Sequence, residues 1–233
     1  MAARRMRAFS YPATDPGTDP ATLLHFLFRD NGSTLVDGAL APVAVGAQAD
    51  IWLNLGTDGA QAEYITNKPT RRADGVQSPS GDGMSGGNFR DFGTNDFWVD
   101  FIITRSGSNA VVPIAGNDDE NQSGFKFNAS GLTITDNDGN ALTLGTILVS
   151  GSKLVRVKRV SGTVTAYMTG GVTASGSLAG AITPLRLFGS ANQGYTGSST
   201  RTLVVGMADH VLTVGEAAAS VQWYTVNYGL GIS

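Results

Sequence analysis

The stretch Lys153–Gly171, KLVRVKRVSGTVTAYMTGG, constrains the chain more than any other. Two runs that sort apolar from polar with period two flank Ser161-Gly162, and glycine takes the positive φ of a tight turn without steric penalty. Pairing Val160 with Thr163 sets Val157 opposite Ala166 and Val155 opposite Met168 on one side. Arg156 then faces Tyr167, and Lys158 faces Thr165, on the other. A slip of one residue would reverse both faces together, so turn and alternation specify a single register. The spacing predicts an antiparallel hairpin with Val155, Val157, Ala166 and Met168 pointing into an interior closed by a second sheet.

Strand signals recur elsewhere with turn residues between them. Leu23, Leu24, Phe26, Leu27 and Phe28 form an apolar run closed by Arg29-Asp30-Asn31-Gly32. Gly46–Leu55 alternates, with Ile51 and Leu53 opposing Trp52 and Asn54, and Phe97, Val99, Phe101 and Ile103 share one face of a further strand. Val111–Ile114 contains Pro113, which predicts a sheet edge because proline has no N–H for a neighbour. Gly124–Asn128, Gly131–Thr135, Leu142–Leu148, Leu185–Phe188 and Thr202–Met207 read as strands too. Residues 56–93 read mostly as loop with a short strand near Ala62–Thr66; so long a structureless loop is uncommon, and further short strands are expected inside it. Thr213 stands three residues before Glu216, a capping-box spacing, and Ala217, Ala218 and Ala219 follow, which predicts a helix from about Val214 to about Trp223. The pattern specifies an all-β fold: a two-sheet antiparallel jelly-roll sandwich with one short C-terminal helix.

Composition supports this and excludes several functions. Glycine is abundant (31 of 233 residues) and glutamate stands only at Glu63, Glu120 and Glu216, a balance for turns and strands rather than solvated helices. Cysteine is absent, which removes disulfides, thiolate metal sites and thiol catalysis. With a net charge of -3 and scattered basic residues, no nucleic-acid footprint is visible, and no apolar run is long enough to span a membrane. The N-terminus has no apolar h-region, so no secretory signal is read there. Residues 1–20, with Pro12, Pro16 and Pro20, read as an extended N-terminal arm ahead of one domain at 21–233. Phe9 and Tyr11 are the arm's apolar grips and Arg4, Arg5 and Arg7 its charge cluster, as suits an arm that orders against a neighbouring subunit; a disordered terminus is the alternative.

The order of these features resembles the concanavalin A-like lectin/glucanase superfamily, in particular its laminin-G-like modules. Leu23–Phe28 followed by Asn31–Asp37 is similar to that family's opening strand and "G-x-x-x-x-D" turn, and Thr94–Phe101 to the strand that begins its inner sheet. The hairpin ending Tyr167-Met168-Thr169-Gly170-Gly171 resembles the family's "v-x-l-Y-x-x-G", and Leu212–Glu216 its closing "L-s-x-x-E". The resemblance covers about residues 21–223 and implies a sandwich that binds carbohydrate or, in the glucanases, cleaves it. Lys153-Leu154 stands where many members have Trp, and Thr169 where Asp is usual, which weakens any inherited ligand or calcium site.

Hydrolysis needs two carboxyl groups about 5–5.5 Å apart in a retaining enzyme. The family's E-x-D-x-x-E pattern is missing, and Asp96 and Asp100, four residues apart on one strand, are separated by roughly 13 Å. Asp118 and Asp119 in one acidic loop, and Asp136 and Asp138 in another, offer oxygen ligands for calcium. The second starts like an EF-hand loop but has Thr146 and Ile147 where the closing glutamate would stand, and Asx turns account for both loops without metal. A saccharide platform is offered by Asn192, Gln193 and Tyr195, whereas Trp52, Trp98 and Trp223 read as core. Arg156 opposite Tyr167 predicts a cation–π pair on an outer face. His25 and His210, the only histidines, have no third metal ligand in view, and Gly81, Gly83, Gly86 and Gly87 precede no phosphate-loop lysine.

The expected function is a non-enzymatic structural or adhesion module on the outside of a larger assembly, a bacteriophage virion decoration or tail component. It would sit on the virion surface, without a cofactor, as a homo-oligomer bound to other subunits through the arm, its loops touching host glycans, with neither nucleic acid nor membrane as partner. A free carbohydrate-binding lectin and a glycoside hydrolase are the alternatives.

Overall fold

The computed structural model describes residues 17–59, 61–64, 68–77, 84–85, 89, 91–106, 110–116, 124–188 and 200–232. In chain order the strands are β1 (Phe26–Arg29), β2 (Leu35–Val36), β3 (Ile51–Trp52), β4 (Ala62–Tyr64), β5 (Thr70–Arg72), β6 (Gly75–Gln77), β7 (Met84–Ser85), β8 (Phe97–Arg105) and β9 (Val111–Ala115). They continue as β10 (Gly124–Asn128), β11 (Gly131–Thr135), β12 (Ala141–Leu144), β13 (Gly151–Val160), β14 (Thr163–Met168), β15 (Val172–Ser177), β16 (Arg186–Leu187) and β17 (Thr200–Ala208), and helix α1 (Val214–Tyr228) follows. One sheet runs β15-β14-β13-β8-β17-β6-β5, with β1 also paired to β17; the other runs β12-β11-β10-β9-β16-β7-β4-β3-β2. Neighbouring strands are antiparallel throughout, so the fold is the expected sandwich.

The hairpin adopts the register its alternation dictates. Val155 pairs with Met168, Val157 with Ala166 and Val160 with Thr163, and all four inward residues are at most 4% exposed. Ser161 (φ 49) and Gly162 (φ 78) both take positive φ, the turn whose twist matches that of paired strands. Phe97, Val99, Phe101 and Ile103 of β8 join the same core, where Phe101 meets Phe125 and Phe127. Trp52 lies there as well, stacked on Phe188.

Two local expectations are corrected. Pro113 is on no edge, since β9 lies between β10 and β16. The register jumps there, from Phe125↔Ile114 to Phe127↔Val111, so Val112 and Pro113 face Lys126 alone and the bulge accommodates the missing N–H. Helix α1 continues past Trp223 to Tyr228, because Tyr224 and Tyr228 extend its inward face and Gly229 (φ 67) closes it, giving its N–H to Thr225 O. Its start is the foreseen capping box between Thr213 and Glu216. β15 has only Val172 and Ala174 as apolar residues, half-buried against the core, too weak an alternation to announce it before it pairs with β14.

Helix α1 covers the outer face of β1, β8, β13 and β17, so the centre of the first sheet is buried on both sides. Trp98 and Ile102 of β8, Leu154 of β13, Val204 and Ala208 of β17 and Leu27 of β1 form a second core with Leu212 and Tyr224. Residues 17–20, which the sequence assigns to the arm, lie against this helix. Thr18 donates to Ala219 O, Asp19 takes Arg29 through both carboxylate oxygens (2.9 and 3.0 Å), and Arg29 stacks on Trp223. A Cβ at Gly17 would come within 2.6 Å of Trp223 N, so only glycine permits that approach.

Candidate functional site

Arg156 points from β13 to the outer face, where alternation predicts an exposed side chain. It is instead 4% exposed beneath α1. Its Nε and Nη2 bond the Asp100 carboxylate at 2.8 and 2.9 Å, Nη1 donates to Ala217 O, and Nη2 also donates to Ser220 Oγ. Trp98 Nε1 donates to the same carboxylate at 3.1 Å, and the guanidinium lies 4.5 Å from the Trp98 ring centroid. Burial by itself would lower the Arg156 pKa, but the Asp100 charge and hydrogen bonds outweigh it and leave it raised. One ion pair thus joins β8, β13 and α1. The expected Arg156–Tyr167 cation–π pair is corrected: their backbones face each other, yet Arg156 stacks on Trp98 and Lys158 leans over Tyr167 at 5.6 Å.

Tyr224 is fully buried beside this pair, and its hydroxyl has no well-formed hydrogen bond. Burial, then the Asp100 charge, push its pKa well above the usual tyrosine value. The folded state therefore holds a neutral phenol, and stability present below about pH 10, where an unfolded tyrosine ionises, is lost as pH rises beyond it. Tyr224→Phe removes both the unsatisfied hydroxyl and this linkage. Urea denaturation should show it neutral to about 1 kcal/mol more stable at pH 7, with the alkaline loss of stability displaced upward. Tyr228, also raised by burial, leaves a residual alkaline dependence.

Beside the ion pair, α1 and the sheet leave a cleft of about 360 Å³ lined by Trp98, Arg156, Lys158, Tyr167, Leu212 and Gln222, with apolar walls from α1 and Ile232. Among the described residues no carboxylate lines it. The Tyr167 ring, a lysine ammonium and a primary amide around an apolar depression suit a ligand with both an apolar face and an acceptor or anionic group.

The residues singled out in the sequence fare differently. Asn192, Gln193 and Tyr195, the arm residues Arg4, Arg5, Arg7, Phe9 and Tyr11, and Asp118 and Asp119 lie outside the described residues. Asp136 is 1% exposed, and the turn itself uses its carboxylate: Oδ1 accepts from Asp138 N and Asn140 N, and Oδ2 from Asn140 Nδ2. Gly180 packs so closely on it that a Cβ there would lie 1.9 Å from Oδ2. Asp138 is exposed. Asp96 accepts the Ser161 N–H and Asp100 holds Arg156, so the two carboxylates serve the hairpin turn and the buried pair. The histidines do find a third donor: Asp209 Oδ1 lies 3.1 Å from His25 Nδ1 and 3.5 Å from His210 Nδ1. The cleft was hard to read in sequence because its two walls are some fifty residues or more apart; the one signal was a cationic outer stripe, Arg156 and Lys158, on a strand beside Trp98.

No family model matches the sequence, and no curated protein matches it. Among solved structures the chain is similar to Trypanosoma rangeli sialidase in complex with a difluoro-KDN ligand, at 14% identity and TM-score 0.55, covering 94% of this chain and 36% of that one. It is also similar to domain 4 of the arabinanase AbnA from Geobacillus stearothermophilus in complex with arabinotriose (14% identity, TM-score 0.46, 85% of this chain and 97% of that one). A third is mouse laminin alpha1 chain domains LG4-5 (12% identity, TM-score 0.37, 59% and 43%). Only the sialidase score exceeds 0.5, and at that identity it speaks for fold alone; the chain spans about a third of the sialidase's length. What the likeness and the strand order support together is a two-sheet antiparallel β-sandwich.

Proposed function

We propose that this chain is a non-enzymatic adhesion module, a lectin-like sandwich that holds an acidic saccharide in the cleft beside α1 and is carried on the outside of a larger assembly. The cleft carries the reading: Lys158 over Tyr167, with Gln222, supplies a stacking face and donors, and among the described residues no lining carboxylate opposes an anionic ligand. Asp96 and Asp100 are engaged structurally, which favours binding over hydrolysis. The assembly we infer is a virus particle, a bacteriophage capsid or tail, and we assign contact with a neighbouring subunit to the segment that carries Arg4, Arg5, Arg7, Phe9 and Tyr11. A free lectin is the second reading, and the same cleft supports it.

A glycan array spanning neutral and acidic saccharides tests the site. Binding should concentrate on acidic glycans and fall about tenfold or more in Lys158→Ala and Tyr167→Ala, with melting temperature little changed because both side chains are only partly buried. Absence of saccharide binding, or affinities indifferent to both substitutions, would refute it. Deleting residues 1–16 separates the two readings: a virion component loses incorporation into particles while the sandwich still folds, whereas a free lectin keeps its whole activity.

A further inference from the structure

We propose that His25, Asp209 and His210 form a binding site for a divalent transition-metal ion of the zinc class, which ties the start of β1 to the segment entering α1. The sheet creates the site. Phe26 pairs with Met207 in the antiparallel β1–β17 ladder, so the residue before β1 comes level with the residues that follow β17. His25 Nδ1 and His210 Nδ1 then both approach Asp209 Oδ1, at 3.1 and 3.5 Å, with their rings inclined at 63° and centroids 5.1 Å apart.

The 3.5 Å separation is that of neighbouring donors on a small cation, and the 3.1 Å one lies slightly below it. Tetrahedral bonds of about 2.0–2.2 Å place neighbouring donors roughly 3.3–3.5 Å apart. A plain histidine–carboxylate contact needs one imidazole; here two present the same ring nitrogen to one oxygen, and the three side chains offer donors all within 4.8 Å of one another. Two imidazoles and a carboxylate select zinc, nickel or copper over calcium or magnesium, which prefer oxygen-only shells. The side chains of His25, Asp209 and His210 are 15%, 32% and 50% exposed, so the site opens to solvent and leaves room for water at the remaining positions. Leu212, just beyond His210, lines the cleft, so a bound ion would also stiffen one cleft wall.

The test uses the full chain without a purification tag, since a histidine tag would itself take the metal. Zinc titrated calorimetrically should bind at one ion per chain with micromolar affinity and raise the melting temperature, and a chelator should reverse both. His210→Ala, at a half-exposed side chain, leaves the sandwich intact and should weaken binding by about tenfold or more; His25→Gln should do the same. Calcium at equal concentration should shift nothing. Absence of saturable zinc binding, zinc affinity unchanged in both variants, or an equal response to calcium would overturn the proposal.

Discussion

Arg156→Met should destabilise the domain by about 3–5 kcal/mol, the cost typical of leaving one member of a buried ion pair without its partner. The Asp100 carboxylate is fully buried, and without Arg156 its remaining donor is Trp98 Nε1. The helix would also lose the bonds from Arg156 to Ala217 O and Ser220 Oγ, its polar ties to β13. Urea denaturation followed by tryptophan fluorescence reads the effect, because Trp98 lies under the guanidinium. Were Arg156 on an exposed hairpin face, as strand alternation alone implies, the loss would stay below about 1 kcal/mol. The double variant Asp100→Leu/Arg156→Met should regain most of the loss, since an apolar pair carries no desolvation penalty. Failure of that rescue would mean that the pair's hydrogen bonds to the helix, rather than the buried charge, dominate.

Arg159→Met should cost a comparable amount, about 3–5 kcal/mol, for a different reason. Arg159 is fully buried next to the hairpin turn, and among the described residues no carboxylate lies within hydrogen-bond reach of it. It donates instead to backbone carbonyls: Nε to Asn95 O, Nη1 to Gly180 O and Nη2 to Gly93 O, at 2.6–2.8 Å, with its guanidinium 4.9 Å from the Phe97 ring centroid. Methionine fills much of the volume but strands those acceptors, each worth about 1–3 kcal/mol when buried and unsatisfied, less their mutual relaxation. Arg159→Lys should recover only part of the loss, because an ammonium lacks the planar fork that reaches three directions at once. Thermal and urea denaturation of the three proteins give the order wild type, Lys, Met. A lysine variant as stable as wild type would show that charge near Asp96, rather than the fork, is what the position needs.

Part of this molecule was legible residue by residue. The hairpin's turn, register and inward face follow from period-two alternation and one Ser-Gly dipeptide, and β8 and the capping box at Thr213 follow from equally local patterns. Where local signals conflicted, the sequence misled. Pro113 argued for an edge because a bulge opposite Lys126 cannot be seen in one strand alone. The alanine run suggests a shorter helix than the one that forms, whereas Tyr224, Tyr228 and Gly229 reveal their purpose only against the sheet. The candidate site was the least legible, since Arg156 and Lys158 on an outward stripe look the same whether water or a helix lies above them.

Alternation over a few residues determines which side chains share a face, because backbone geometry permits only one periodicity per strand. It cannot determine what covers that face. The lid on Arg156 comes from Ala217 and Ser220, more than sixty positions downstream, and the approach of His25 to Asp209 spans 184 residues. Contacts of that reach exist only once two sheets and a helix have packed, so burial of the outer stripe, the cleft beside it and the histidine cluster at the β1–β17 junction were decided by tertiary structure.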